Sequence, residues 1–496
     1  MRVTPTAYNS GTYSATPPSG NTFNMYPTSA PWLLNLFSDR LTSLGSSRFH
    51  REFYCFAPDT GFLNAKRTIK NPVPNSPNLA PNDVYVTYDV YKPDGSNPDG
   101  NVASEQYFGA DDGGASTASA CAQPTGPPAY RIDHTYQAGT LASTQYYSGS
   151  SPMAFKSLDL DIDQSTGLPA RSRDTAGVCT SFAYDTMNRL TWVKPGDASG
   201  ASGCTVPTPP NTPGAPYGAW VQRSYGAGTP SCDPASNPLA CAFARATAYA
   251  SGTTSGSPLA DSQIIFDRLG RVASERQKLP DTTLNERITN YNPDGSKAFV
   301  SELAQQGQAT FGTTFLDYDA FGRPGTVKGA DGKRVDFTYQ GVRATNRFVD
   351  IATGANGTTT TSRVTEFNNH LGRLHRVSEP PLDSNLLPTA NTNYDYDAMG
   401  NLVAVDQRDG LTPVHIQTRT FNYDGRGFLT SEIHPEKTGA VSYSSYDARG
   451  HFRQKTDGGV VTQWAYDAAE RLLSVASAGQ PVKEFRYDEQ TFGRCC

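Results

Sequence analysis

The amino-acid sequence predicts an all-β protein built from repeated β-hairpins that pair into a long antiparallel sheet. The first indication is composition: 45 glycines, 36 prolines, 26 tyrosines and 23 phenylalanines, against 5 methionines, favour turns and strands over helices. The second is a short phrase that recurs along the chain, usually followed by a strand-like run. Such recurrence indicates a repeat protein, so the length of 496 residues does not set the number of domains.

The repeated phrase is an aromatic residue, an acidic or amide residue, two variable residues and a glycine. Intact copies begin at Tyr318, Tyr396, Tyr423 and Tyr446, and a degraded copy begins at Asn368. Where the phrase is clear, successive copies lie 20 to 27 residues apart. Over all copies, the predicted structural signature consists of Tyr184, Asp185, Phe266, Asp267, Gly270, Tyr291, Asn292, Gly295, Tyr318, Asp319, Gly322, Tyr396, Asp397, Gly400, Tyr423, Asp424, Gly427, Tyr446, Asp447, Gly450, Tyr466, Asp467, Tyr487 and Asp488.

Backbone chemistry explains the phrase. An Asp or Asn side chain can accept a hydrogen bond from the backbone N–H two residues on, which closes the turn locally. A glycine three residues after the acid permits positive φ. The runs that follow, such as Arg189–Val193, have the period of a half-buried strand. Each unit is therefore predicted to be a hairpin that is stable only beside its neighbours, with aromatic residues stacked into a ladder worth ~1 kcal/mol per pair.

Three copies depart from the phrase. Asn188 and Glu470 stand where glycine is expected, and Phe367 lies one residue out of register. Asn is the residue that best tolerates positive φ after glycine. The units of Glu470 and Phe367 are therefore expected to have bulged or loosened turns.

The sequence predicts four segments. Residues 1–48 are an irregular lead-in rich in Ser, Thr and Pro, and residues 49–194 contain degenerate copies of the repeat. Residues 195–262, rich in Pro, Gly and Ala, are expected to form long loops or a seam between two repeat blocks. Residues 263–496 contain the clear repeats, with the last unit interrupted.

Charge and hydropathy exclude several classes of partner. The net charge of -5 and the pI of about 5.8 come with scattered Lys and Arg residues, so no basic stripe is present to bind nucleic acid. The apolar cluster Trp32–Phe37 is far shorter than the roughly 20 residues of a membrane-spanning helix. Residues 1–30 also lack the pattern of a signal peptide.

The eight cysteines show no C-x-x-C pair, so a zinc site is not expected. Cys204, Cys232 and Cys241 fall in a loop-like stretch. A disulfide formed in an oxidising compartment and buried free thiols are equally consistent with that position.

Candidate catalytic and metal-binding groups were weighed against structural roles. Asp159, Asp161 and Asp163 suggest calcium, but the residues that follow lack the glycine and the twelfth-position acid of an EF-type loop. Because Leu160 and Ile162 alternate with these acids, a solvent-facing side of a strand is the preferred interpretation.

The remaining motifs do not indicate an enzyme. The histidines show no paired metal spacing, and the chain has neither a G-x-S-x-G elbow nor a P-loop. The repeated Asp residues are unsuited to catalysis, since a reaction needs one site rather than many similar ones. No catalytic residue, cofactor or metal is therefore expected.

The phrase resembles the tyrosine–aspartate (YD) repeat of RHS proteins, bacterial toxin-complex shell subunits and teneurins. The resemblance extends from about residue 50 to 494 and is strongest from 266 onward. It implies hairpins wound into a long spiralling sheet that forms all or part of a hollow shell, which in bacterial members encloses a toxic C-terminal segment. The family's Asp-Pro-x-Gly-Leu core run is missing, since Cys232–Pro234 lacks the Gly-Leu. Self-cleavage and a toxin payload therefore do not carry over, and a truncated member is implied.

The expected function is that of a non-enzymatic shell segment, for encapsulation or surface display in a larger secreted or cell-surface bacterial protein. The implied partner is a missing C-terminal core or effector segment. The alternative is a carbohydrate- or cell-contact module whose exposed tyrosines stack on sugar rings, and a self-processing shell ranks third. Unpaired edge strands also predict self-association.

Overall fold

A computed structural model gives the fold of the chain. The residues that it describes are 2–8, 13–15, 23–25, 37–44, 48–57, 60–73, 76, 78–96, 98–175, 177–195, 219–236, 238–250, 258–278, 284–308, 311–353, 359–380, 389–411 and 414–487. The chain divides into two compact units. Unit 1 comprises Met1–Leu160, Tyr394–Asp406 and Gln417–Cys496, and unit 2 comprises Asp161–Asn393 and Gln407–Ile416.

Strands make up most of the described residues. In the first half of the chain they are β1 (Arg2–Tyr8), β2 (Tyr13–Ala15), β3 (Phe23–Met25), β4 (Phe37–Leu44), β5 (Arg48–Phe56), β6 (Leu63–Thr68), β7 (Val84–Val90), β8 (Val102–Gly109), β9 (Tyr130–Gln137), β10 (Thr140–Ser148), β11 (Ser151–Ile162), β12 (Pro169–Arg173), β13 (Cys179–Tyr184), β14 (Leu190–Pro195), β15 (Trp220–Gly226) and β16 (Phe243–Tyr249). In the second half they are β17 (Ala260–Phe266), β18 (Val272–Lys278), β19 (Leu284–Tyr291), β20 (Lys297–Ser301), β21 (Ala304–Gln305), β22 (Gly312–Leu316), β23 (Thr326–Lys328), β24 (Arg334–Gln340), β25 (Ala344–Thr353), β26 (Thr359–Asn368), β27 (Leu374–Glu379), β28 (Ala390–Tyr396), β29 (Leu402–Arg408), β30 (Ile416–Tyr423), β31 (Leu429–Ile433), β32 (Val441–Ser444), β33 (Gln454–Asp457), β34 (Val460–Tyr466), β35 (Leu472–Ser477) and β36 (Lys483–Glu484).

The prediction of an all-β antiparallel fold is confirmed. A single sheet contains 34 of these strands, and β2 and β3 form a separate pair. The helical elements of the described residues are two short 3₁₀ turns, Ala110–Asp112 and Pro238–Ala240. Strands adjacent in the chain pair antiparallel, as consecutive hairpins require.

A β-bulge recurs at the end of the first strand of the repeat hairpins. The register shifts between Ile265 and Phe266 in β17, and again between Ala465 and Tyr466 in β34. The hairpins that contain Tyr184, Tyr291, Asn368 and Tyr423 have the same shift at the same place. The repeat is thus a hairpin with a built-in bulge, which increases local twist and directs the aromatic side chain.

Strands are present in the segment expected to be an irregular lead-in and in the segment expected to form long loops or a seam. Residues 1–48 include β1 and β4, which pair with each other, and β4 also pairs with β5. This polar segment forms a strand because its buried Asp39 accepts two hydrogen bonds from Arg51 of β5, at 3.0 and 2.6 Å. Residues 195–262 include β15 and β16, where Trp220 stacks between Trp192 and Tyr249 with centroid distances of 4.8 and 4.2 Å.

Unit 1 has a small apolar core reinforced by buried ion pairs. Its apolar cluster contains Cys55, Ala65, Tyr85, Phe108 and Ala115. Beside it, Arg67 and Asp83 are fully buried and form an ion pair at 2.8 Å. Arg67 also donates to Thr117 and to the carbonyl of Ala80, so its buried donors are matched by acceptors.

Disulfides resolve part of the question that the cysteines left open. Cys232 and Cys241 are bonded to each other, and so are Cys55 and Cys121, a pairing that no sequence pattern indicated. The Cys232–Cys241 pair lies in the core of unit 2, against Ile265. The predicted positions Cys204 and Asp488 lie outside the described residues.

Candidate functional site

The turns of the repeat share one hydrogen-bonding pattern. In the copy at Asp267, the backbone N–H of Asp267 donates to the carbonyl of Arg271 at 2.9 Å. The N–H of Gly270 donates to the carbonyl of Asp267 at 3.1 Å. One carboxylate oxygen of Asp267 accepts from the N–H groups of Leu269 and Arg271, both at 2.9 Å. The same two backbone bonds close the turns that begin at Asp185, Asn292, Asp319, Asn369, Asp397, Asp424, Asp447 and Asp467.

These bonds change the ionisation of the turn carboxylates. Burial raises the pKa of Asp267, but the backbone N–H and guanidinium of Arg271 more than offset burial, so the pKa lies below its ordinary value. In the exposed turn of Asp319, the backbone N–H of Arg323 is the main cause of a lowered pKa. These carboxylates are therefore bound by hydrogen-bond donors of their own turns and have a structural role.

The copies at Glu470 and Phe367, for which bulged or loosened turns are expected, close their turns with the usual backbone bonds. Glu470 adopts φ +67°, and its N–H donates to the carbonyl of Asp467 at 3.1 Å, as glycine does elsewhere. The Glu470 carboxylate lies 3.2 Å from Arg449 and 3.9 Å from His451 of the preceding turn. In the other copy, Asn369 takes the acidic position and makes the usual bonds. Both copies have the bulge that the other repeats also have.

The predicted ladder of stacked tyrosines takes a different form. Arg271 is held by the Asp267 carboxylate at 2.7 Å, and its guanidinium lies 4.2 Å from the ring centroid of Tyr291 in the next hairpin. The Tyr291 hydroxyl donates back to the carbonyl of Val272 at 2.9 Å. Tyr291 thus stacks on a cation of the preceding turn, which is favourable and leaves its hydroxyl for the backbone.

Other copies repeat this coupling with the side chain four residues after the acid. Arginine stacks on the next tyrosine in the pairs Arg189–Tyr225, Arg323–Tyr339 and Arg471–Tyr487. His451 stacks on Tyr466 and Phe428 on Tyr446 in the same way. Because arginine often follows the turn glycine directly, the sequence alone indicates this stacking.

Two turns of unit 1 dock against strands from the start of the chain. The N–H of Gly425 donates to the carbonyl of Lys70 at 2.8 Å, and the carbonyl of Gly425 accepts from Nδ1 of the buried His50 at 2.7 Å. The approach is so close that a Cβ at Gly425 would lie 2.2 Å from Cδ of Pro72. Glycine is needed here for space, since its φ is not positive.

Arg426 is the centre of this docking contact. Its guanidinium donates to the carbonyl of Asn82 at 2.9 Å, to Asp111 at 3.0 Å and to its own turn acid Asp424 at 2.6 Å. Asp111 also accepts from Lys70 at 2.8 Å and from the N–H of Tyr446 at 3.0 Å. Burial raises the pKa of Asp111, but these three donors outweigh burial and leave it lowered.

The next turn adds a second set of bonds. The Tyr130 hydroxyl donates to the fully buried Asp447 at 3.2 Å, and Arg449 lies 4.0 Å from the Tyr130 ring centroid. Burial, followed by the charge of Asp447, raises the pKa of Tyr130 to about 12. Arg453 pairs with Asp112 beside them. The docking contact therefore joins the turns of Asp424 and Asp447, through charged groups, to one set of residues: Lys70, Asn82, Asp111, Asp112 and Tyr130.

The groups considered for metal binding or catalysis have structural partners. Asp159 accepts from Lys156 at 3.3 Å, Asp161 pairs with Arg171 at 3.7 Å, and Asp163 accepts from the N–H groups of its own turn. Within the part of the chain that the structure describes, no cluster of three or more His, Cys, Asp or Glu residues could hold a metal ion. Nor does any described helix have the length and apolarity to cross a membrane.

The fold and its turns define a tandem β-hairpin repeat protein with charged lateral docking between turns and strands. No protein family and no curated protein matches the sequence. Among solved structures, TcdB2-TccC3-Cdc42 is similar over 90% of this chain and 32% of its own, with 11% identity and a TM-score of 0.46. TcdB2-TccC3 without its hypervariable C-terminal region is similar over 96% and 29%, with 11% identity and a TM-score of 0.36.

A third solved structure, TcdB2-TccC3, is similar over 94% of this chain, with 12% identity and a TM-score of 0.34. The present chain spans 27 to 32% of the length of these three structures.

Proposed function

We propose that this chain is a structural segment of an RHS-type β shell, which forms part of a wall for encapsulation or surface display of an effector. The observation that carries the proposal is the docking of Gly425 and Arg426 onto Lys70 and Asn82, in the connection between β6 and β7. Hairpins that pair only with their neighbours make a ribbon, whereas hairpins that also dock laterally make a wall.

The chemistry of the contact suits a wall better than a reaction site. The cations Arg426, Lys70 and Arg453 are matched by the carboxylates Asp111, Asp112 and Asp424, so the charged groups of this set already have partners. The backbone bond from Gly425 to Lys70 also fixes the position of the turn against the connection between β6 and β7.

The proposed site of action is outside the cytoplasm. The bonded pairs Cys55–Cys121 and Cys232–Cys241 support this, because disulfides persist in oxidising compartments. The proposed partner is a further shell or effector segment that completes the enclosure.

Electron microscopy of the chain, purified from its producing cells with the polypeptides that accompany it, tests the proposal. We expect a hollow particle whose wall contains this chain, and an enclosed segment that resists protease until the wall is unfolded. A solid or fully extended particle, with every accompanying polypeptide digested at its free rate, would contradict encapsulation.

A second candidate function, carbohydrate contact, is favoured by one cleft in unit 1. The turn carboxylates are engaged by their own turns, so they are poorly placed to bind sugar hydroxyls. A cleft of about 430 Å³ is lined by the amides Asn71 and Asn422 and the aromatic residues Phe421 and Tyr423, together with Lys70 and the turn acids Asp397 and Asp424. Amide groups beside aromatic faces are the chemistry that a neutral sugar ring requires.

A glycan array separates this candidate from the first. Val73→Trp, which fills the cleft, should abolish any sugar binding, whereas Val460→Trp, at an exposed site outside the cleft, should not. Equal binding by both variants would remove the cleft as the site, and no binding by the unmodified chain would remove the function.

A further inference from the structure

The turn at Asp397 lacks the cation that the other turn aspartates have. Those other aspartates lie within ion-pairing distance of an arginine or histidine of their own turns: Asp185, Asp267, Asp319, Asp424, Asp447 and Asp467. Four residues after Asp397 the chain has Asn401, which donates to the Asp397 carboxylate at 2.9 Å but carries no charge. Among the residues that the structure describes, the hydrogen-bond donors to Asp397 are neutral groups of its own turn. Its carboxylate is therefore a negative charge without a described counter-ion.

The aromatic residue of the next hairpin also lacks its usual contacts. In the copy at Asp267, Arg271 covers the ring of Tyr291, and the Tyr291 hydroxyl donates to a carbonyl of the earlier hairpin. For the turn of Asp397, the corresponding residue is Tyr423. In the described part of the chain, no cation covers the ring of Tyr423 and no acceptor binds its hydroxyl. The acid and the ring of this coupling are thus present without the arginine that joins them elsewhere.

The charge of Asp397 acts on Tyr423 without an opposing cation. Burial raises the pKa of Tyr423, and the negative charge of Asp397 raises it further. Burial and the charge of Asp267 likewise raise the pKa of Tyr291, but there the guanidinium of Arg271 acts in the opposite direction. The electrostatic environment of Tyr423 therefore favours the binding of a cation.

Asp397 and Tyr423 line the same cleft, which has a volume of about 430 Å³. The other charged or titratable groups of the lining have partners in the chain: Lys70 with Asp111, Asp424 with Arg426, and His50 with Glu52 and the carbonyl of Gly425. A cleft of this volume is in the size range of ligand sites and is far larger than a guanidinium group. It therefore combines a carboxylate without a counter-ion, an aromatic ring and room for the chain that carries a cationic group.

We propose that this cleft binds an arginine side chain of a partner polypeptide. Its guanidinium takes the place that Arg271, Arg323 and Arg471 take in their copies, 2.7 to 2.8 Å from the acid and 4.0 to 4.6 Å from the centroid of the next tyrosine ring. A guanidinium fits better than an ammonium, because its plane stacks on the ring while its N–H groups bind the carboxylate. The amides of Asn71 and Asn422, which also line the cleft, can bind the peptide groups beside the arginine.

The arginine ligand is separate from both candidate functions. The wall function assigns no ligand to the cleft. A neutral sugar, the ligand of the second candidate, leaves the charge of Asp397 without a counter-ion. The binding of arginine depends only on the cleft and on its likeness to the other repeat turns, so the failure of either function would not remove it.

Ligand-observed NMR titration of the full chain with the peptide N-acetyl-glycyl-arginyl-glycinamide tests the proposal. Because one stacked guanidinium and a few hydrogen bonds hold the ligand, we expect a dissociation constant of about 1 mM at low salt. Salt at about 0.5 M should weaken binding several-fold, since it screens an ion pair in a partly exposed cleft. The corresponding lysine peptide should bind at least about threefold more weakly, and the uncharged citrulline peptide at least about tenfold more weakly.

Two variants locate the binding site. Asp397→Asn removes the charge but keeps the turn, because Asn292 and Asn369 close the same turn in their copies. It should weaken binding at least about tenfold. Asn401→Arg supplies the cation from the chain itself, so it should also weaken binding at least about tenfold, with an unfolding midpoint no lower than that of the unmodified chain. The matched control is Asp331→Asn, which removes the charge of an exposed aspartate outside the cleft and should change binding by less than about twofold.

The absence of saturable binding by the arginine peptide overturns the proposal, and so does a citrulline peptide that binds as tightly. Equal binding of the arginine and lysine peptides would contradict the assignment of the cleft to a guanidinium group. Unchanged binding in Asp397→Asn or in Asn401→Arg, with the chain folded, would show that the peptide binds elsewhere.

Discussion

Arg426 and Asp111 are 315 residues apart in the sequence and form a 3.0 Å ion pair, with the Arg426 side chain almost fully buried. Asp111 also joins Lys70 and the backbone of Tyr446. One carboxylate thus connects the strands at the start of the chain to two consecutive turns near its end. Removing it leaves two cations without their shared acceptor.

Asp111→Asn should weaken the docking contact by about 2 kcal/mol, less than for a fully buried pair because Asp111 is partly exposed. The measurement is hydrogen exchange at the N–H of Gly425, which is bonded to Lys70 in the same contact. Lys333→Gln, which breaks an exposed pair with Asp331, is the control and should change stability by less than about 0.5 kcal/mol. Unchanged protection of Gly425 in Asp111→Asn would show that the ion pair does not hold the contact.

Alanine substitution of two glycines in one turn should destabilise the chain for two different physical reasons. Gly425→Ala places a Cβ 2.2 Å from Pro72 and should disrupt the docking contact by more than about 2 kcal/mol. Gly427→Ala meets no atom within 4 Å but has φ +87°, so it should cost about 1 kcal/mol of backbone strain and leave docking intact. Hydrogen exchange at the backbone N–H of position 425 compares the two variants. Equal effects on docking would contradict the assignment of Gly425 to close approach.

The docking contact should weaken in acid. The pKa of Asp111 is lowered in the folded chain, since its donors outweigh burial. A lowered folded pKa means that the stabilisation is complete above the unfolded value of about 3.9 and is lost as the pH falls through the folded value. Protection at Gly425, corrected for intrinsic exchange, should fall below about pH 4 as Asp111 is protonated. In Asp111→Asn, protection at Gly425 should decrease less in acid than in the unmodified chain. The same decrease in both proteins would show that other carboxylates cause it.

Glu470→Gly should stabilise the chain slightly. Glycine removes the strain of φ +67°, roughly 1 kcal/mol, whereas the lost ion pairs of a half-exposed Glu470 are worth less than that. Glu470→Ala keeps the strain and loses the ion pairs, so it should destabilise. Thermal unfolding of the two variants gives the comparison, and a lower midpoint for Glu470→Gly would mean that the pairs with Arg449 and His451 outweigh the strain.

The two disulfides should differ in strength because they close loops of different length. Cys55 and Cys121 are separated by 66 positions, Cys232 and Cys241 by 9. Loop entropy predicts losses of about 4 and about 2.5 kcal/mol when each pair is replaced by serines. Urea unfolding of the two double variants measures this, with the unmodified, disulfide-bonded chain as reference. A larger loss at Cys232–Cys241 would show that packing against Ile265, rather than loop closure, dominates.

The structure of the repeat turns is predictable from the sequence, because it depends on residues only a few positions apart. The turn at Asp267 closes by bonds that span at most four positions, so the identities of Asp267, Gly270 and Arg271 suffice to predict it. The stacking of Arg271 on Tyr291 is also predictable from the sequence, because an arginine directly follows the turn glycine. The aromatic residues alone do not indicate it. The bulge expected for the Glu470 copy is present, but the other repeats share it, because Glu470 adopts the positive φ that glycine adopts elsewhere.

The docking contact could not be predicted in this way. Asp111 and Arg426 belong to no common motif, and their meeting depends on the accumulated geometry of the strands between them. The one available signal was that the turns of Asp424 and Asp447 have arginine at the second position after the acid, where most other turns have apolar residues or alanine. Without the structure, nothing distinguished those arginines from solvated ones.

The coupling of Arg271 to Tyr291 has a direction. The acid and the cation belong to the earlier hairpin, and the tyrosine of the later hairpin returns its hydroxyl to the backbone of the earlier one. A hairpin leaving the ribosome therefore finds its binding surface already folded, because the preceding hairpin was synthesised first. Synthesis from the N-terminus and growth of the sheet proceed in the same order, so each new unit is templated as it emerges.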